Sequence, residues 1–179
     1  YSTYYEDILY IYPPEMYVSE VEGVHYTREF LLEADPIALD ILSFIETFEQ
    51  DNQITFGDAQ KEAIQLSFFE KFSLITGGPG TGKTTIIKAL VKGFQLGGLG
   101  RIILCAPTGR AAKRLTEATE FEATTIHRLL VPVQGSDSYD FTKNEDDPLD
   151  IDVIIIDEAS MLNVRLFYSL MAAIPKEAH

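Results

Sequence analysis

A glycine-rich stretch followed by a lysine and a threonine is the feature of this sequence best suited to chemistry. Residues 77–84 read Gly-Gly-Pro-Gly-Thr-Gly-Lys-Thr and satisfy the spacing G-x-x-x-x-G-K-[ST]. Glycines let backbone amides approach phosphate oxygens, the lysine bridges the β- and γ-phosphates, and the last hydroxyl ligates Mg²⁺. The pattern predicts an ATP site with Mg²⁺, in which Lys83 is catalytic. The candidate contacts are Gly77, Gly78, Pro79, Gly80, Thr81, Gly82, Lys83, Thr84 and Thr85.

Two adjacent acids follow an apolar run near the end of the sequence. Residues 153–156 read Val-Ile-Ile-Ile, as in a central parallel strand, and Asp157 and Glu158 come next. Ligands of open α/β sheets bind where the strands end. We predict that Asp157 holds the Mg²⁺ shell, with Thr84, and that Glu158 orients and deprotonates the attacking water, which favours hydrolysis over kinase chemistry. The alternative is a solvated acidic strand end.

Gln60 lies 17 residues before Gly77 on a predicted helix. A side-chain amide pairs with both the N6 donor and the N7 acceptor of adenine, and such a residue would select ATP. A solvated glutamine on a helix surface is the alternative.

A second strand-to-helix turn carries basic residues at 105–115. Thr108, the amides after Pro107 and the cations Arg110, Lys113 and Arg114 are suited to nucleic-acid phosphates. A helix with a solvated basic face explains the same residues. His127, in Thr-Ile-His-Arg-Leu-Leu, contacts a phosphate or base in one interpretation and is a packed core histidine in the other.

The net charge of −14 argues against nucleic-acid binding until its distribution is considered. Residues 1–51 carry −11 and residues 135–152 carry −6, whereas residues 52–134, with the glycine loop, carry +4. A single cysteine, Cys105, excludes an internal disulfide and indicates a reducing compartment, and we expect a core position for it. Without a secretion signal or an apolar run of about 20 residues, we expect a cytoplasmic protein with no membrane contact. A start at Tyr1 suggests a piece of a longer chain.

Apolar periodicity predicts alternating helices and strands, hence an α/β fold with a parallel sheet. We expect Asp35-Pro36 to begin the first amphipathic helix, and we expect Ala63, Leu66 and either Phe68 or Phe69 to face the core from the second. The predicted helices are 36–49, 57–70, 83–94, 110–119, 125–130 and 163–173. The predicted strands are 72–76, 101–106 and 153–156, and 134–150 is predicted to be an exposed loop.

Read together, these segments resemble the RecD family of superfamily 1B DNA helicases, which includes the exodeoxyribonuclease V alpha subunit. The resemblance covers about residues 55–175. The strings that carry it are 60–63, 75–85, 106–115, 125–130 and 157–161.

The resemblance implies a three-layer, RecA-like P-loop NTPase domain over residues 52–179, truncated before a sensor strand and a second motor domain. A small, mostly helical appendage over 1–51 would precede it. It further implies ATP-driven 5′→3′ translocation on single-stranded DNA in recombination and repair, either alone or with RecB- and RecC-like subunits. Gln60 would read adenine. The implied DNA contacts are Pro107, Thr108, Gly109, Arg110 and His127.

Without the second motor domain, we expect this piece to bind nucleotide weakly, to hydrolyse it slowly and to be inactive as a motor. Two other classes compete with the helicase. One is a binding module that nucleotide occupancy switches, with the acidic segments contacting a partner. The other is a different P-loop ATPase or a small-molecule kinase, which the strings at 106–115 and 125–130 do not favour.

Overall fold

The computed structural model of the protein describes residues 2–31, 37–135 and 140–179. Five strands, seven α-helices and one 3-10 turn (Ala159–Met161) organise these residues. The strands are β1 (Ser2–Tyr5), β2 (Ile8–Ile11), β3 (Ile102–Ala106), β4 (Ala123–Thr125) and β5 (Val153–Ile156). The helices are α1 (Pro14–Glu29), α2 (Ile41–Asn52), α3 (Asp58–Phe69), α4 (Lys83–Leu96), α5 (Gly109–Thr119), α6 (Ile126–Leu130) and α7 (Val164–Ala173).

The centre of the fold is a parallel sheet in the order β4-β3-β5. Leu104 pairs with Ala123 on one side and with Ile155 on the other. All three strands therefore end at one side of the sheet, which we call the carboxyl edge, beyond Ala106, Thr125 and Ile156. The prediction of an α/β fold with a parallel sheet is confirmed.

Successive side chains of β3 and β5 enter different cores because side chains alternate along a strand. Ile103 and Ile154 pack against one cluster of buried side chains, which we call the first core and which lies on the α6–α7 side of the sheet. Ile102 and Ile155 pack on the opposite face, against a second core shared by α2, α3 and α4 and against a smaller third core of Ile87, Val91, Leu104 and Leu115. Both faces of the sheet are thus covered by helices, which gives the three-layer arrangement expected of a RecA-like domain.

An aromatic cluster fills the second core. Phe68 of α3 is 1% exposed, and its ring lies edge-on to those of Phe94 and Phe44, with centroids 4.8 and 6.0 Å away. Phe48 of α2 stacks on Phe56 at 5.8 Å. Helix α2 therefore shares a hydrophobic core with the helix that follows the glycine loop.

The residues that follow α4 show at which edge of the sheet each end of that helix lies. Residues 97–100 lead from α4 into Arg101, just before β3. The Asp152 carboxylate, just before β5, accepts the amides of Gly100 and Arg101 at 3.1 and 2.9 Å and the Arg101 Nε at 3.0 Å. The end of α4 thus lies where the strands begin. Its start, with the glycine loop, lies at the carboxyl edge, because 14 helical residues span about 21 Å and a five-residue strand about 17 Å.

Residues 2–29 form a hairpin and a helix. Strands β1 and β2 pair antiparallel, and every residue of both is exposed. Helix α1 packs against α7 through the buried Ser19 and Gly23, and a Cβ added at Gly23 would lie 3.5 Å from the Phe167 ring. At its ends, Glu15 pairs with Arg165 and Glu29 with Lys176.

Most predicted elements agree with the structure within a few residues, but the predicted strand 72–76 is wrong. Residues 73–78 belong to no strand, and Leu74 is 73% exposed while Ile75 packs into the second core. The free side of β5 is occupied at its start by the backbone of His179. The Ile154 amide donates to the His179 carbonyl at 2.8 Å, and the His179 amide donates to the Asp152 carbonyl at 2.9 Å.

Other differences concern helix starts and burial. Helix α2 begins at Ile41, where Asp40 accepts the Ser43 amide, and the proposed start at 35–36 lies outside the described residues. Leu66 is 46% exposed, so its predicted core position is wrong, whereas Phe68 is buried. The predicted exposed loop at 134–150 contains two buried side chains, Phe141 and Leu149, within its described part.

Candidate nucleotide-binding site

The glycine loop turns directly into α4. Gly80 and Gly82 have φ of +75° and +82°, in the left-handed region that favours glycine. Gly82 is the residue before the helix, and its carbonyl accepts the amides of Thr85 and Ile86 at 3.0 and 3.1 Å. The amides of Lys83 and Thr84, which precede these bonds, have no acceptor within the helix, so they are available to phosphate oxygens, assisted by the helix dipole.

The Lys83 side chain folds back over the loop. Its Nζ donates to the carbonyls of Gly77 and Gly78 at 2.7 and 2.8 Å. The Thr81 hydroxyl also donates to the Gly78 carbonyl, at 2.9 Å. The ammonium group is therefore held against the loop that the motif assigns to phosphates.

Gln60 joins α3 to the glycine loop. Its Oε1 accepts the Gly57 amide at 2.8 Å, and its Nε2 donates to the Thr81 carbonyl at 2.9 Å. A Cβ added at Gly82 would lie 2.5 Å from the same Nε2, so a larger residue there would displace the Gln60 amide, besides being strained at the φ of +82°. An amide oxygen has two lone pairs and the nitrogen two hydrogens, so one of each is left for a base.

Sequence reasoning did not find the support behind this contact. Glu49 of α2 accepts the Phe56 amide at 2.6 Å and pairs with Lys61 Nζ at 3.0 Å. Glu49 is one of twelve acids in the first 51 residues and belongs to no motif, so only the folded arrangement distinguishes it.

Asp157 and Glu158 follow β5 at the carboxyl edge. The Asp157 amide donates to the Cys105 carbonyl at 2.9 Å, which extends the ladder with β3 by one bond. Glu158 is exposed and has φ +55°, an uncommon conformation for a residue other than glycine. This conformation turns the chain sharply between β5 and a single 3-10 turn at Ala159–Met161.

The residues at this edge suit Mg²⁺ because a hydroxyl and a carboxylate are hard oxygen donors. Thr84 and Asp157, both half-buried, are the two groups that the motifs assign to the ion. Over residues 2–31, 37–135 and 140–179, no group of three or more His, Cys, Asp or Glu forms a complete metal cage. Magnesium commonly keeps water and phosphate ligands and takes only one or two from the protein, so its binding does not require such a cage.

Helix α5 begins at the same edge, immediately after β3. Thr108 is its N-cap, and its hydroxyl oxygen accepts the Ala111 amide at 3.2 Å. Gly109 and Arg110 are exposed, and Pro107 is half-buried. Farther along, Arg114 is exposed on the same face as Arg110, four residues away, and Lys113 pairs with Glu117 at 3.8 Å.

Two further residues at this edge differ in surroundings. His127 of α6 lies with its ring edge-on to Phe141, centroids 5.8 Å apart, and is half-buried. Cys105 is fully buried in β3, as predicted, and burial raises the pKa of its thiol to about 12. A thiol with so high a pKa is unreactive at neutral pH, so Cys105 contributes packing.

A parallel sheet covered on both faces, with a glycine loop entering a helix at the carboxyl edge and an acid pair after a neighbouring strand, defines a RecA-like P-loop domain. Residues 60–179 match the family described as the AAA domain. The chain belongs to this family.

Three relatives indicate which kind of AAA-domain protein this chain resembles. The chain is 46% identical over 105 residues to the ATP-dependent RecD2 DNA helicase of Deinococcus radiodurans, covering 59% of this chain and 14% of the relative. It is 32% identical over 178 residues to the RecBCD enzyme subunit RecD of Mycolicibacterium smegmatis, covering 83% and 32%. The ATP-dependent DNA helicase dda of phage T4 is 41% identical over 105 residues, covering 56% and 24%.

These relatives confirm the resemblance to the RecD family. The chain spans between 14% and 32% of the length of these three relatives. In the described residues, no helix has the length and apolar character needed to cross a membrane.

Proposed function

We propose that this chain is the ATP-binding and ATP-hydrolysing domain of a DNA helicase that moves 5′→3′ on single-stranded DNA. The observation that carries the proposal is the gathering of three features at one edge of one sheet. These are the glycine loop before α4, the acids Asp157 and Glu158 after β5, and the basic start of α5 after β3. Their convergence supports coupling between ATP and DNA.

In the proposed site, each residue has a separate task. The amides of the loop and of the first turn of α4 bind phosphate oxygens. Lys83 exchanges its two carbonyl acceptors for the β- and γ-phosphates, and Gln60 reads adenine with its remaining lone pair and hydrogen. Thr84 and Asp157 would hold Mg²⁺, which supplies positive charge to the phosphates when bound. Glu158 orients water and accepts its proton at a carboxylate oxygen.

The proposed DNA contacts are Pro107, Thr108, Gly109, Arg110 and, across the edge, His127. Exposed first-turn amides and the Arg110 guanidinium are suited to phosphates, which position a strand without reading its sequence. His127 is the weakest member of this group, because its ring packs on Phe141. Single-stranded DNA is thus the proposed partner, with RecB- and RecC-like subunits as further partners in a complex, or none in a helicase that acts alone.

The larger setting is also proposed. Recombination and repair in the cytoplasm suit a DNA helicase of this family, and a single motor domain is expected to be inactive as a motor. The division between appendage and ATPase domain at residue 51 stays a prediction. The shared core of Phe44 and Phe48 with Phe68 and Phe94 supports an earlier division, before α2.

Lys83→Ala tests the nucleotide site. We expect affinity for a fluorescent ATP analogue to fall about 100-fold, because the variant cannot make the two charge-assisted hydrogen bonds from the ammonium group to phosphate. Lys88→Ala is the matched control, since Lys88 lies farther along the same helix and pairs with Glu120 at 3.9 Å. It should bind within about twofold of the unaltered chain. Equal affinity of the Lys83→Ala variant and the unaltered chain would contradict the assignment of the glycine loop as the nucleotide site.

A double change, Arg110→Ala with Arg114→Ala, tests the DNA surface. We expect weaker binding of a labelled oligo-dT, with a salt slope smaller by about 0.7 for each phosphate that is no longer neutralised. Fluorescence anisotropy between low and moderate salt measures both quantities. Lys176→Ala removes an exposed cation that pairs with Glu29 at 3.1 Å, and it should change neither. An unchanged salt slope in the double variant would contradict the proposed contact between α5 and DNA.

A further inference from the structure

The contact between Gln60 and the glycine loop is held in place by a second contact behind it. Glu49, on α2, is 13% exposed. Its Oε1 accepts the Phe56 amide at 2.6 Å, and its Oε2 accepts from Lys61 Nζ at 3.1 Å. Both partners flank the start of α3, the turn that carries Gln60. The carboxylate therefore ties α2 to the first turn of α3.

These hydrogen bonds form a continuous series from α2 to the phosphate loop. Glu49 holds the amide of Phe56, and the next amide, that of Gly57, is held by Gln60 Oε1 at 2.8 Å. Gln60 Nε2 then reaches the Thr81 carbonyl at 2.9 Å. Displacing the backbone at Phe56 would displace Gly57 and rotate the Gln60 amide.

The hydrogen bond from the Phe56 amide to the Glu49 carboxylate has a charged acceptor, which makes it stronger than a bond between neutral groups. Phe56 donates its amide to the carboxylate and Lys61 donates its ammonium, and these two contacts lower the pKa of Glu49 below its usual value. The group is accordingly ionised at neutral pH, and hydrogen bonds to a charged acceptor are about twice as strong as those between neutral groups.

We propose that Glu49 is a positioning residue that gives the site its preference for adenine. By fixing the backbone of Phe56 and Gly57, Glu49 keeps the Gln60 amide in the orientation that leaves one lone pair for adenine N6 and one hydrogen for N7. Guanine presents an acceptor where adenine presents the N6 donor, so the same orientation does not suit it. The inference rests on the proposed function, because it assigns a specificity role within the same ATP site.

The experiment compares fluorescent analogues of ATP and GTP on the 179-residue chain. We expect Glu49→Ala to weaken ATP binding about 5- to 10-fold and GTP binding less than about twofold, because the base contact depends directly on Gln60, whereas the phosphate contacts are made by Lys83 and the amides of the loop. Glu49→Gln keeps an oxygen for the Phe56 amide and should restore most of the preference. A purely structural loss would weaken both nucleotides equally, since both share the phosphate contacts.

Asp40→Ala is the matched control. Asp40 is the N-cap of α2, accepts the Ser43 amide at 3.3 Å and the Ser43 hydroxyl at 2.7 Å, and lies at the other end of the helix. The ratio of ATP to GTP affinity should not change in this variant. If Glu49→Ala does not fold by circular dichroism, Glu49→Asp takes its place, because the shorter side chain withdraws the carboxylate from Phe56 while keeping the charge.

The outcomes are distinguishable. A lowered ATP-to-GTP ratio in the Glu49 variant alone supports the positioning role. An unchanged ratio in a folded Glu49→Ala or Glu49→Asp chain overturns it and leaves the nucleotide site intact, and an equal change in Asp40→Ala also overturns it. Failure of the unaltered chain to bind either nucleotide would instead overturn the proposed function.

Discussion

Glu158→Gln is expected to lower the rate of ATP hydrolysis about 10²- to 10³-fold while leaving ATP affinity nearly unchanged. The amide keeps the size of the side chain but cannot accept the proton of the attacking water, and loss of a general base typically has an effect of this size. Glutamine matches glutamate in shape, so we expect the left-handed backbone at this position to be kept. Because one motor domain is expected to hydrolyse ATP slowly, the measurement is a single turnover of radiolabelled ATP with protein in excess and single-stranded DNA present.

Glu177→Gln serves as the control for this change, since it removes an exposed carboxylate outside the carboxyl edge. Its rate should match that of the unaltered chain. Retained hydrolysis in the Glu158→Gln variant would show that another group activates water, and it would favour a binding module in which Asp157 and Glu158 serve only charge balance.

Phe68→Ala is expected to destabilise the protein by about 3–5 kcal/mol, the range for removing a fully buried phenylalanine. The change leaves a cavity between Phe94 and Phe44, whose rings contact Phe68 edge-on. The free energy of unfolding, from urea titration followed by circular dichroism, is the measured quantity. A loss this large approaches the whole stability of many domains, so partial unfolding at room temperature is a consistent result.

The adjacent residue gives a closely matched comparison. Phe69 is 63% exposed whereas Phe68 is 1% exposed, so Phe69→Ala removes the same side chain from the same helix without creating a cavity. We expect its effect to lie within about 0.5 kcal/mol, as is usual for surface positions. Similar losses for the two variants would contradict the assignment of Phe68 to the second core.

The chemical groups of the candidate site could be predicted because their chemistry fixes residue type and spacing. A glycine loop, a lysine and an acid pair after an apolar strand seldom occur together outside phosphate-binding domains, and the sheet places them at one edge. The strand at 72–76 is predicted by apolar composition alone. Apolar composition does not show whether a segment has a neighbouring strand to pair with. In the structure, the side of β5 that faces away from β3 is hydrogen-bonded at its start to the backbone of His179.

Several buried positions are occupied by small residues, and apolar patterns in the sequence do not identify such positions. Helix α1 faces α7 with Ser19 and Gly23, while Val21 and Val24 are exposed, so its apolar residues do not mark its inner face. In α3, Ser67 is buried where the apolar pattern favours Leu66. The Ser67 hydroxyl donates to the Ala63 carbonyl at 2.9 Å and shares a 3.0 Å bond with Ser73, which satisfies it inside the protein.

The Asp152 contacts before β3 and β5 have a consequence for acid unfolding. Hydrogen bonds from the Arg101 side chain and backbone, and from the Gly100 amide, lower the pKa of Asp152 to about 2. A carboxyl group with a pKa below its unfolded value of about 3.9 stabilises the protein fully above that value, and its contribution is lost only as the pH falls towards 2. Carboxylates with ordinary pKa values take up protons before Asp152 does. Asp152 therefore keeps its charge, and its bonds to Arg101 and Gly100, in a pH range where most other carboxylates of the folded protein are already protonated.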